Sequence, residues 1–197
     1  MGSPEAGAGL YRLEVTSGPG SGVKILNQPP PAPYKESVKV GEQNLYTRAK
    51  ELVGDRDPRE NEFSIQMRAM DADKTGSGLG LPVLVALCGS LLCKNTRGGT
   101  IIVGALNLGG SIEMMPNATR IAELAIDKQA QTLLIPVAAR WQLNDLPDDL
   151  WTRWYPTGLA RHKCQTRALE PGIWEAAPDG ISPDRVSTQE ERESRSA

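Results

Sequence analysis

The 197-residue chain holds a single histidine, His162, and three cysteines, Cys88, Cys93 and Cys164. With no second histidine and no cysteine pair at ligand spacing, neither a zinc site of the usual ligand types nor a histidine-based catalytic triad is expected. The odd cysteine count fits no zinc or redox motif, and Cys88 and Cys93, which fall in an apolar run, read as small core residues. Neither sign of charge prevails, with 22 Lys plus Arg against 24 Asp plus Glu. No strong overall field therefore draws in nucleic acid or an anionic membrane, and any polyanion site would be a local patch. The longest apolar run, residues 81–93, is well short of the roughly 20 residues that cross a bilayer, so it reads as a buried helix. The opening "MGSPEAGAGLYRLEV" has neither a basic stretch nor an apolar stretch of the secretory kind, which makes a cytoplasmic location the default expectation.

What is present is an alternation of strand and helix patterns. Residues 1–9 are small and polar and read as a flexible leader. Strand-like runs at 10–16 and 23–27 flank "SGPGSG", whose glycines and proline predict a hairpin. After the proline-rich "NQPPPAP", Val38, Leu45, Ala49 and Leu52 share one side of a helix over 34–53. In "EFSIQMRAM" the residues Phe63, Ile65, Met67 and Ala69 alternate with polar neighbours, as in a half-buried strand. A second hairpin is predicted between 100–103 and 111–114. Ala118, Ile121, Ala122, Leu124 and Ala125 then form the apolar face of a helix over 117–129, with a proline just before it. "QTLLIPV" reads as a buried strand and "ARWQLNDLPDDLW" as a short helix and turn. Beyond residue 150 the pattern weakens into a divergent, largely irregular tail over 151–197, ending in a polar stretch of disordered composition. Trp141, Trp151, Trp154 and Trp174 cluster toward this end and read as packing of the last element rather than as a partner surface. Hairpins mixed with crossovers argue for a single α+β (mixed α/β) domain over 10–150.

Between the alternating strand and the apolar helix lies "DADKTGSGLGLPVLVALCGSLL". Its glycines, Gly76, Gly78 and Gly80, are too closely spaced for the dinucleotide fingerprint, and no GKS or GKT follows to make a P-loop. Lys74 precedes the glycines, whereas a P-loop lysine ends its motif. The glycines are better read as letting the backbone turn closely into a buried helix.

From this stretch through "GGTIIVGALNLGGSIEMMPNATRIAELAIDKQAQTLLIP" the chain resembles the proteolytic domain of Lon-type ATP-dependent proteases. "EQNLYTRAKELVGDRDPRENEF", "GALNLGGSIE" and "IAELAIDKQAQTLLIPVAARWQLNDLPDD" are similar, more narrowly, to the C-terminal region of the Lon-related protein of BREX phage-defence systems. The resemblance covers roughly residues 10–150 and implies a Lon-protease-like fold of the ribosomal-protein-S5-domain-2-like type. It also implies a chemistry in which a serine hydroxyl attacks a peptide carbonyl while a desolvated, neutral lysine takes its proton.

Laid on this chain without gaps, the family pattern puts the nucleophile position on Gly78 and the lysine position on Ile121. Neither can take part in the reaction. Ser77 is one residue away, an offset that turns a helical side chain by about 100°. Arg120 adjoins Ile121 but stays protonated and is no general base. Ala105 occupies the place of the family's glutamate. The resemblance therefore implies a Lon-like fold with its peptidase activity lost; the alternative is a relocated dyad that pairs Ser77 with Lys74 or with a lysine of another subunit. No Walker A sequence is present, so no cofactor is expected in this chain, and ATP with magnesium is expected only on an AAA+ domain of which this would be a C-terminal companion. As partners the family implies a homo-oligomer through its ring assembly and an AAA+ ATPase region or other defence proteins. DNA stays open as a partner and a membrane is not expected.

Overall fold

A computed structural model describes residues 9–70, 76–113, 117–139 and 142, together with the backbone of Ala160–Cys164. The fold is mixed α and β. Strand β1 (Tyr11–Pro19) is followed by β2 (Gly22–Ile25), helix α1 (Ala32–Thr47), a single helical turn α2 (Ala49–Leu52) and, after a 3-10 turn at Pro58–Glu60, strand β3 (Asn61–Ala69). Helix α3 (Gly80–Leu92), strand β4 (Thr100–Ile102), helix α4 (Ala118–Asp127) and strands β5 (Thr132–Pro136) and β6 (Ala160–Cys164) complete the order.

The first sheet has the order β1-β3-β2. β1 runs antiparallel to β3, with Leu13 opposite Met67 and Val15 opposite Ile65, and β2 runs parallel to β3 on its other side. The hairpin predicted around "SGPGSG" is therefore corrected: the glycine-rich turn does reverse the chain, but the two arms straddle β3 instead of pairing. Gly20 N–H donates to the Glu60 carbonyl as the chain passes round the start of β3. β3 takes the centre of the sheet, where Phe63, Ile65 and Met67 are buried, whereas Leu13 and Val15 of one arm and Val23 and Ile25 of the other are only partly buried. Beyond β2 the Asn27 side chain continues the ladder, donating to Met67 O at 2.7 Å and accepting from Met67 N at 2.8 Å.

Helices α1 and α3 cover one face of this sheet. α1 begins behind Pro31, with Pro33 in its first turn, where an absent amide costs nothing. It buries Tyr34, Val38, Gly41 and Leu45, a stripe spaced at four, three and four residues. The predicted helix over 34–53 is interrupted at Arg48, which leaves the helical region at φ −118°. α3 is buried nearly all round, as its continuous apolar sequence requires. Its last turn closes on Cys93 in the left-handed region, at φ 54°, with Lys94 N–H reaching back to Gly89 O. Cys88 is buried as expected, but Cys93 is exposed, a correction that follows from this closure, because the left-handed residue leaves the helix's buried face.

The second sheet is parallel, in the order β4-β5-β6. The predicted hairpin between 100–103 and 111–114 is likewise corrected. β4 pairs with β5 through a crossover that contains α4, and the reversal is confined to a smaller loop bridged at Leu106 and Ile112. β5 separates two apolar clusters by simple alternation. Leu134 joins the main core of Tyr34, Phe63, Leu45 and Leu87, whereas Leu133 packs on the other side against Ala118, Ala122, Ala125 and Ile126 of α4. β6 lies within the segment read as an irregular tail. Residues 1–8 of the leader and the four tryptophans lie outside the described residues. Among the described residues no helix is long and apolar enough to cross a membrane.

Candidate functional site

The glycine turn 76–80 joins the first sheet to α3 and is held at both ends. Gly76 is buried and its N–H donates to the Tyr11 hydroxyl at 3.2 Å. A Cβ there would come within 2.7 Å of Met67 Sδ and 3.0 Å of Tyr34 Cβ, and φ is +63°, so glycine is needed on both counts. At the other end, a Cβ on Gly80 would lie 2.9 Å from Leu106 N, and Leu81 N–H donates to Gly104 O at 3.0 Å. Ser77 and Gly78, between these anchors, face solvent.

Gly78, the expected nucleophile position, has open space around its Cα but a φ of +68°. A serine side chain there would carry a left-handed backbone that costs an L-residue about 1–2 kcal/mol. Ile121, the expected lysine position, is partly buried on α4 and packs against the alanine-rich cluster. The two positions thus belong to different packing units, one leading into the main core and one on the second cluster. Arg120 is exposed and pairs with Glu123 at 3.3 Å, one helical turn away. Ala105 contributes only its backbone, its carbonyl accepting from Glu113 N–H at 2.9 Å. Lys74, the alternative partner of Ser77, lies outside the described residues. Ser17 Oγ donates to Ser90 O and Ser37 Oγ to Pro33 O, so both hydroxyls are engaged with backbone.

The buried titratable groups of this region are held neutral. Burial raises the Tyr34 phenol above its ordinary value, and its hydroxyl has no hydrogen-bond partner among the described residues. Burial also pushes the Cys88 thiol up to about 12, which removes it as a nucleophile near neutral pH. Tyr46 is raised first by burial and then by the Glu42 carboxylate; the Arg59 guanidinium, 5.8 Å from its ring centroid, opposes the shift. Among the described residues no three His, Cys, Asp or Glu side chains gather to hold a metal ion.

One arrangement is not apparent from the sequence. The loop 104–113, which seats Gly80, is clasped by α1. Asn44, only 1 % exposed, donates through Nδ2 to Val40 O at 2.9 Å and to Asn107 O at 3.0 Å. Arg48 donates to Gly109 O, and its guanidinium lies against Gly110. Within the loop Gly110 N–H donates to Asn107 O and Ser111 N–H to Asn107 Oδ1. The tip carries Leu108, 68 % exposed. The available sequence signal was an asparagine placed beside Gly41 and Leu45 on the buried stripe of α1, where an unpaired amide would be costly.

Two curated relatives are similar to this chain. The "Lon-like protease BrxL" of Escherichia coli O9:H4 (strain HS) is 25% identical over 148 residues, which cover 74% of this chain and 21% of that protein. The "Lon-like protease BrxL" of Bacillus cereus (strain H3081.97) is 22% identical over 148 residues, 74% of this chain and 22% of that protein. The chain therefore spans about a fifth of the length of the curated relatives it matches. The sequence profile of the family described as subunit ChlI of Mg-chelatase matches residues 36–139, from the first turns of α1 to the residues just after β5. That match takes in more than half of the 197 residues, and the chain belongs to this ChlI family.

Proposed function

We propose that the chain is a Lon-like domain of a BREX-type phage-defence AAA+ protein, that it has no peptidase activity, and that it serves assembly or DNA-associated defence. The observation that carries this reading is the state of the two dyad positions. Position 78 is a glycine with a left-handed backbone, and position 121 is an isoleucine packed on the second cluster. A serine–lysine mechanism needs a hydroxyl at one and a desolvated amine at the other, each within about 3.2 Å of its partner. Similarity to the two Lon-like relatives supports the wider placement. In the proposed role the domain joins a homo-oligomer and a neighbouring ATPase region, with ATP bound elsewhere.

Incubation of the chain with unfolded casein and with a fluorophosphonate probe tests the reading. The expected result is uncleaved casein and no labelled serine. Labelling at Ser77 that disappears in Lys74→Ala would instead establish a relocated dyad and a Lon-type serine endopeptidase.

A further inference from the structure

Strand β1 is nine residues long and, among the described residues, no strand lies beyond it in the sheet. Met70 N–H donates to Leu10 O at 2.9 Å and Gly20 N–H to Glu60 O at 3.4 Å, which fixes the phase of the antiparallel ladder. Even-numbered residues of β1 turn their backbone groups toward β3; Tyr11, Leu13, Val15 and Ser17 turn theirs outward to the edge. A long edge of this kind is a template for another strand unless something blunts it. The only proline of β1 is at its end, Pro19.

The two faces of the strand indicate what would cover it. Tyr11, Leu13 and Val15 point to the main core but are only partly buried, whereas Phe63, Ile65 and Met67 beside them are buried. Apolar surface is thus left open along the edge. On the outer face Arg12 pairs with Glu14 at 3.1 Å, and Arg68 reaches the same carboxylate at 3.6 Å. Read as a pattern, "YRLEV" is apolar, positive, apolar, negative, apolar about Leu13. Two such strands run antiparallel about that centre would place Arg12 of each opposite Glu14 of the other.

We propose that β1 is a docking edge for a second copy of this chain, the two β1 strands pairing antiparallel with Leu13 opposite the partner's Leu13. In this register Tyr11, Leu13 and Val15 of the two copies exchange about six backbone hydrogen bonds. Arg12 and Glu14 form the closer, non-hydrogen-bonded pairs, where opposite charges attract most. The neighbouring registers are disfavoured. Centring on Arg12 or on Glu14 sets like charges face to face, and centring on Val15 brings Pro19, which has no N–H, opposite Tyr11 in a hydrogen-bonding position. A shift that opposes odd to even residues presents the wrong backbone groups and the wrong faces. The contact is isologous and joins two three-stranded sheets into one of six.

Sedimentation equilibrium of the whole chain over a wide concentration range tests the pairing. The wild type is expected to form dimers. Arg12→Glu and Glu14→Arg, each of which creates like-charge pairs across the two-fold, are expected to weaken self-association by about tenfold or more. Mixed one to one, these two variants regain opposite charges at both positions, so a heterodimer of near wild-type affinity is expected, a result that a misfolded variant would not give. A wild-type chain that stays monomeric throughout, a variant that self-associates as tightly as the wild type, or a mixture that fails to associate would each overturn the proposal. The absence of peptidase activity stands or falls separately, since the casein assay reads neither β1 nor its partner.

Discussion

Around Phe63 the protein fills space with large side chains; around Ala122 it removes them. The main core brings Tyr34, Leu45, Phe63, Ile65 and Leu87 together between the first sheet and two helices, all fully buried. The second cluster is five alanines with Ile126 and Leu133, so that α4 meets the small parallel sheet through small side chains. The difference shows two ways of reaching interior density. The first depends on bulk, and loses most when a side chain is truncated. The second depends on the lack of bulk, and loses most when a side chain is enlarged. It also bears on Ile121, expected from the resemblance to be the lysine position, which extends the apolar rim of the alanine cluster.

The largest effect is expected from Phe63→Ala, at about 3–5 kcal/mol of lost stability in urea unfolding. If that loss were no larger than the loss from Leu133→Ala, the contrast between the clusters would be broken. Ala122→Leu is expected to cost about 1–3 kcal/mol in the same measurement, although it adds apolar area. Stabilisation by that change would mean that α4 is loosely seated. Asn44→Ala strips two carbonyls of a donor and is expected to cost about 1–3 kcal/mol, with faster amide exchange at Gly110 and Ser111 as the specific signature. The last effect is confined to alkaline pH and comes from Cys88. Its thiol is raised from 9.0 to about 12 in the folded chain, so its contribution is intact below pH 9.0 and is lost as the pH climbs toward 12. Cys88→Ala should flatten the fall in urea midpoint over that interval, and a thiol reagent at pH 8 should modify Cys93 well before Cys88.

Local order was largely legible in the sequence. The alternation of Phe63, Ile65 and Met67 marks β3, the unbroken apolar run marks α3, and the repeat of small residues marks α4, because burial imposes the period directly on these residues. Pairing was less legible. "SGPGSG" announces a reversal but does not say that β3, some forty residues later, will insert between the arms, since that choice is made by non-local competition for the sheet's centre. At the candidate site the identities at 78 and 121 are plain in the sequence, whereas the left-handed backbone of Gly78 and the Asn44 clasp on the loop 104–113 depend on approaches between distant segments.

β5 assigns consecutive residues to different interiors, Leu133 to one and Leu134 to the other. Neither interior can melt while leaving the five-residue strand intact for its neighbour, so heat should find a single cooperative transition rather than two. Protection of the β5 amides from exchange then becomes the common gauge of both.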